Sequence, residues 1–204
     1  MNTLKHIVIL SVLFFSACAT HQLPTESTTS QPSTTQQPLE NKTKKQATTL
    51  SSWEISGAMA ARNKKKGWSA SLNWVQKGLN QYQIRLNGPL GGGAVIIEKK
   101  NGLVTYADGP KKISSSNADA LLLQQTDIRL PVNNLYYWVR GLPAPGAITA
   151  STFDQQHHLS SLNQAGYLIH YSNYTTVNQV DLPSKILLEG HGVVIKLIIK
   201  HWRY

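Results

Sequence analysis

The chain has 204 residues, and its 20 Lys and Arg against 10 Asp and Glu give a formal charge of +10 and a pI near 9.7. A balance this basic raises nucleic acid as a partner, but the basic residues are dispersed, apart from Lys42/Lys44/Lys45 and Lys64–Lys66, and an export signal at the start argues against it. A single cysteine excludes an intramolecular disulfide framework.

The signal is read from Met1–His6, which carries Lys5, followed by the apolar run Ile7–Ala17 (IVILSVLFFSA). That run is far short of the roughly 20 apolar residues a spanning helix needs. Cys18 stands directly after it. Phe15-Ser16-Ala17-Cys18 resembles the bacterial lipobox, with Phe15 where Leu is usual. The expectation is therefore that residues 1–17 are removed and that Cys18 is acylated. Ala19 and Thr20 follow, neither of them the Asp that retains many lipoproteins in the inner membrane, so the expected address is the outer membrane, facing the periplasm.

Residues 18–50 form the next segment, lipidated at its start. Thr, Ser, Gln and Pro dominate it and aromatics are nearly lacking, so it buries too little apolar surface to offset the entropy of ordering. It reads as a tether with an r.m.s. span of roughly 30 Å. Residues 51–204 remain, enough for one domain with one core.

Period-two alternation opens this domain. Trp53, Ile55 and Met59 share one face of Trp53–Arg62; Ala70, Leu72 and Trp74 share one face of Ser69–Lys77; Tyr82, Ile84 and Leu86 share one face of Gln81–Asn87. One apolar face and one wet face is the pattern of antiparallel strands. Asn63–Gly67 and Lys77–Asn80 supply hairpin turns. The Lys64–Lys66 run reads either as a solvated turn or as an attractor of anionic lipid headgroups. Gly93–Lys99 and Gly102–Ala107 predict two further strands.

Between them lies Asn87-Gly88-Pro89-Leu90-Gly91-Gly92-Gly93. Gly88 and Pro89 turn the chain. Leu90 is the odd residue, a large aliphatic group at a loop tip. It either folds back on the core or stands exposed as a wedge for membrane or an acyl chain. The glycines precede no helix and lack the Lys-[ST] of a phosphate loop.

Ser116-Asn117-Ala118-Asp119 offers a cap for a short helix ADALLLQQ. After Pro131, Leu135, Trp138, Val139 and Leu142 follow helical spacing, and Gly141 with Pro143 stops the run. Strands then resume at His158–Leu162, Tyr167–Ser172, Lys185–Leu188 and Val193–Lys200, where Val193, Ile195, Leu197 and Ile199 share a face. The architecture is mainly β, with two short helices to cover a large apolar sheet face. Composition leaves open whether they fill the interior or leave a cavity. His157 and His158 beside Asp154 are adjacent and point to opposite faces of a strand, which disfavours joint metal ligation. No G-x-S-x-G is present. No catalytic residue, metal site or cofactor is expected.

Taken together, the chain resembles the outer-membrane lipoprotein receptor family LolB. The resemblance rests on Cys18, W-E-I-S-G-A at Trp53–Ala58, S-L-N-W-V-Q at Ser71–Gln76, Y-Q-I-R-L-N-G-P-L-G at Tyr82–Gly91 and, most specifically, L-P-V-N-N-L-Y-Y-W-V-R-G-L-P-A-P at Leu130–Pro145. Gln164–Tyr167, Leu182-Pro183 and I-K-L-I-I-K-H-W at the end add to it. Tyr167, where the family often has Trp, and the extra glycines after Leu90 depart from it.

The resemblance implies a half-open antiparallel β-barrel with a small helical lid over an apolar cavity, in a monomer. It implies acceptance of acylated lipoproteins from the soluble periplasmic carrier LolA and their insertion into the inner leaflet of the outer membrane. Leu90, with Gly88, Pro89 and Gly91, matches the membrane-insertion loop. Candidates for the acyl cavity are Leu72, Trp74, Ile84, Leu86, Leu135, Trp138, Ile195 and Leu197. The rival classes are a lipid-anchored envelope hydrolase, which a convergent polar cluster in the pocket would reveal, and a lipid-binding sensor that never transfers cargo.

Overall fold

The computed structural model describes residues 47–89 and 93–204, all within one compact unit. Six strands come first: β1 (Ser52–Arg62), β2 (Gly67–Lys77), β3 (Gln81–Asn87), β4 (Ala94–Lys100), β5 (Leu103–Asp108) and β6 (Lys111–Ser115). Two helices follow, α1 (Ala118–Thr126) and α2 (Val132–Trp138). Five strands complete the chain: β7 (Ile148–Phe153), β8 (Leu159–Gln164), β9 (Tyr167–Val177), β10 (Val180–Gly190) and β11 (Val193–Arg203).

The strands make one 11-stranded sheet in the order β6-β5-β4-β3-β2-β1-β11-β10-β9-β8-β7. Two antiparallel meanders are thus joined at their middle, where β1 pairs with β11. The edges are β6 and β7, and the sheet does not close. The helical segment connects these two edges, and its apolar side chains share one core with the sheet. This is the half-open architecture expected above.

The alternation explains the one-sided core. In β3, Tyr82, Ile84 and Leu86 are buried between exposed Gln81, Gln83, Arg85 and Asn87. In β11, Val193, Ile195, Leu197 and Ile199 are buried, while Ile198 on the other face is 37% exposed.

Three elements differ most from the sequence expectation. β6 and β7 were not expected: β6 is short and begins with two lysines, and all six residues of β7 are exposed, so no alternation marks it. β10 extends well beyond Lys185–Leu188 in both directions, because Pro183 sits beside a bulge and costs the ladder little.

Gly57 fixes the central seam. The β1–β11 register shifts between Ser56 and Gly57, and a Cβ on Gly57 would lie 1.9 Å from the backbone oxygen of Ile198. Ala is therefore excluded unless the two central strands separate. Gly57→Ala is expected to destabilise by about 2–3 kcal/mol, a fall in Tm of roughly 4–12 °C. A thermal melt unchanged from the parent would refute this.

α1 is capped as its sequence suggests. Asn117 Oδ1 accepts from the amide of Ala120 at 3.0 Å, and Asp127 in the left-handed region (φ 56°) ends α1. α1 packs on β5 and β6 through buried Ala118, Leu121 and Leu122. The turn that follows α2 closes at Gly141, whose positive φ of 71° and position against Tyr174 Oη (3.0 Å from a Cβ placed there) leave no room for a side chain.

Candidate functional site

The eight apolar candidates lie in one buried core. On one half of the sheet, Leu72 is opposite Leu86 and Trp74 opposite Ile84 across β2 and β3. On the other half, Ile195 is opposite Leu188 and Leu197 opposite Ile186 across β11 and β10. Met59 and Ala61 of β1 bridge the halves, facing Leu197 and Ile195. Leu135 and Trp138 cover this surface from α2, both essentially inaccessible to solvent.

Sequence reasoning did not locate the aromatic cluster at the seam. Trp53 on β1 packs 5.0 Å from Trp74 and 5.6 Å from Trp202 between ring centroids, and Tyr136 of α2 stacks on it at 6.4 Å. The signal was present, since all four residues fall within the quoted motifs, but their convergence depends on pairing between the first and last strands.

Two buried polar residues hold the helical cover. The Gln164 side chain accepts from Trp138 Nε1 and from the amide of Ala144, each at 2.9 Å, and donates to the carbonyl of Ala144 at 2.7 Å. One side chain on β8 thereby fastens α2 and the segment after it. Arg140 donates from Nε to the carbonyl of Tyr136 at 3.0 Å and from Nη1 to Leu50 and Ala47 at 2.5 and 3.4 Å. Its guanidinium lies 4.1 Å from the Tyr136 ring centroid. Burial lowers the Arg140 pKa, with Tyr136 and Tyr137 opposing that shift. It ties residues 47–50 to α2 without a carboxylate partner among the described residues.

Most of the other shifted groups report burial, Asp127 excepted, whose carboxyl the hydrogen bond and charge of Lys66 lower. Burial raises the phenols of Tyr82, Tyr171 and Tyr174 above their ordinary value and pushes that of Tyr167 up to about 12. Burial also raises the Asp119 carboxyl, with Arg129 pulling the other way. His158 sits between two carboxylates, Asp154 and Asp181, each 3.1 Å from a ring nitrogen, and stacks on Tyr174 with centroids 4.4 Å apart. His157 occupies the turn before it with φ 62°.

Of the loop candidates, Gly88 is half-buried and Pro89 exposed. The amide of Gly88 donates to the carbonyl of Gly93 at 3.3 Å, closing the base of the β3–β4 turn. Leu90 and Gly91 lie outside the described residues, as does Cys18 with the signal and most of the tether.

An unclosed antiparallel sheet thus carries a continuous apolar face covered by two short helices. The class this defines is a half-open antiparallel β-sheet with a helical cover. A LolA superfamily protein from Nitrosomonas europaea, NE2245, superposes with a TM-score of 0.52 over 82% of this chain and 92% of its own, at 11% identity, a likeness of fold alone.

The family model "Outer membrane lipoprotein LolB" matches residues 51–202, and the chain belongs to that family. Among its relatives, the outer-membrane lipoprotein LolB of Coxiella burnetii (strain RSA 493 / Nine Mile phase I) is 38% identical over 197 residues, covering 96% of this chain and 91% of the relative. That of Pseudomonas fluorescens Pf-5 is 39% identical over 160 residues, 78% of each.

Proposed function

We propose that this chain is a lipid-anchored receptor of the outer membrane that takes acylated proteins from the soluble carrier LolA and delivers them to the bilayer. The outer-membrane lipoprotein receptor role follows from the family; the residues that carry it are our assignment. The observation behind the assignment is the shared core, in which Leu72, Trp74, Ile84, Leu86, Ile195 and Leu197 of the sheet meet Leu135 and Trp138 of α2.

An acyl chain entering this core replaces helix side chains as the apolar partner of the sheet. Each buried CH₂ contributes about 0.8 kcal/mol. A bilayer offers nearly the same gain, so cargo passes onward without nucleotide hydrolysis when each holder binds it more tightly than the last. Cys18, acylated, would keep the receptor at the membrane, since several chains anchor stably where a single one does not. Pro89-Leu90-Gly91 is the proposed point of membrane entry. The reading assigns transport to the chain and no chemistry of its own.

The test is to mix the purified protein, its Cys18 acylation verified by mass, with carrier loaded with an acylated protein. Cargo should move to this chain and then into vesicles. Cargo that stays on the carrier overturns the reading. Cargo that binds and never reaches vesicles identifies a lipid-binding sensor instead.

A further inference from the structure

The antiparallel register places several turns at one end of the sheet. Arg62 pairs with Gly67 at the β1–β2 turn, Asn87 with Ala94 at the β3–β4 turn, Asp108 with Lys111 at the β5–β6 turn and Gly190 with Val193 at the β10–β11 turn. β1 starts at the opposite end, where Ser52 pairs with Lys77.

The β1–β2 turn carries Lys64, Lys65 and Lys66, all exposed, and exposed Arg62 precedes them. Lys111 and Lys112, also exposed, start β6 at the same end. The acidic groups there are Asp108, Glu189 and Asp127. The turn is rigidly built: Asn63 Oδ1 accepts from the amides of Lys65 and Lys66 at 2.8 and 2.7 Å, and its Nδ2 donates to the carbonyl of Asp127 at 2.7 Å. Lys66 pairs with the Asp127 carboxylate, so the turn is fastened to the C-terminal end of α1. Among the described residues Lys64 and Lys65 form no ion pair, and with Lys66, Asp127 and Gly192 they border an open concavity of about 580 Å³. Trp68, two residues beyond the lysines, is half-buried against the core rim.

We propose that this end of the sheet docks on the phosphate headgroups of an anionic phospholipid bilayer, with Lys64 and Lys65 as the contacts. Lysines near an anionic surface each favour binding, and Trp concentrates at membrane interfaces. A half-buried Trp behind a rigid basic turn therefore fits a lipid surface better than it fits a soluble anion, for which the described residues offer no buried polar cradle here. Reach allows it: the stretch between Cys18 and Ala47, the first described residue held against the domain, is roughly 95 Å when fully extended, and the longest strands, of 11 residues, run about 37 Å. The end remote from the tether can therefore lie on the membrane that holds the anchor. The inference rests on the outer-membrane assignment only for which bilayer is met.

The experiment uses the mature chain from Cys18 with Cys18→Ala, so that no acyl chain contributes, and co-sedimentation with vesicles. Vesicles of phosphatidylcholine with phosphatidylglycerol should bind the protein, and phosphatidylcholine alone should not. Lys64→Ala with Lys65→Ala should weaken binding about 30-fold, which is ~1 kcal/mol per lysine. Lys77→Ala with Lys100→Ala, exposed and at the opposite end, should change it less than 3-fold. Equal melting temperatures show that all variants fold.

Equal losses from both pairs would overturn the proposal in favour of diffuse charge. Abolition by millimolar inorganic phosphate at constant ionic strength would assign the turn to a soluble anion. Unchanged vesicle binding by the Lys64/Lys65 variant, with loss only of its association with an acidic carrier protein, would assign it to a protein partner. Neither cargo nor transfer is involved, so a negative result leaves the receptor role standing.

Discussion

Gln164→Leu is expected to lower stability by about 3–5 kcal/mol. The substitution removes three hydrogen bonds, each worth about 1 kcal/mol net, and strands buried donors on Trp138 and Ala144 with an added penalty. Leu supplies apolar volume but cannot satisfy a backbone amide. For a domain of this size the loss is a fall in Tm of roughly 6–20 °C. A double-mutant cycle with Trp138→Phe separates the Trp138 bond from the two to Ala144, because Phe keeps the ring packing and lacks the donor. A Tm unchanged from the parent would show that Gln164 does not fasten the helical cover. A residual fold of the variant should also take up a hydrophobic dye more readily, since α2 and the segment after it lose their tie to β8.

Leu90→Glu is expected to separate folding from delivery. The flanking residues end their ladder at Asn87 and Ala94, and Pro89 is exposed, so the substitution lies beyond the paired strands. Tm should stay within about 2 °C of the parent, as for surface changes generally. Delivery of cargo into vesicles should fall at least about tenfold, because burying a leucine in lipid is worth ~1.5–3 kcal/mol and a carboxylate forfeits that gain. Acceptance of cargo from the carrier should persist. A large fall in Tm would place Leu90 on the core, and normal delivery by a stable variant would remove it from the membrane step.

Strands with one wet face were legible before any coordinates. Gln81–Asn87 alternates without exception, and the strand has those bounds. The Asn117 cap was equally readable, because capping chemistry is local. β7 was not, since its exposed Ile148 and Phe153 bracket small polar residues and carry no period. The candidate core was legible as a set of faces, and the structure brings those faces together. Its fastenings were not: Gln164 meets Trp138 across 26 residues, and Arg140 reaches Leu50 across 90. Such partners depend on topology, which no local pattern encodes. The pairing of Lys66 with Asp127, 61 residues apart, is of the same kind. From sequence, Lys64–Lys66 could only be a charged run.

The seam between β1 and β11 also dictates an order of events in time. One meander, β1 to β6, is complete in sequence long before β11 emerges, yet its innermost strand has no partner on one side until then. Bare strand edges recruit other chains, and pairings between distant segments form slowly. A protein threaded across a membrane from its N-terminus would spend that interval as a half-sheet with an adhesive border. Gly57, at the closing line, is therefore a residue whose replacement should show as aggregation during biogenesis in addition to the lowered melting temperature of the finished molecule.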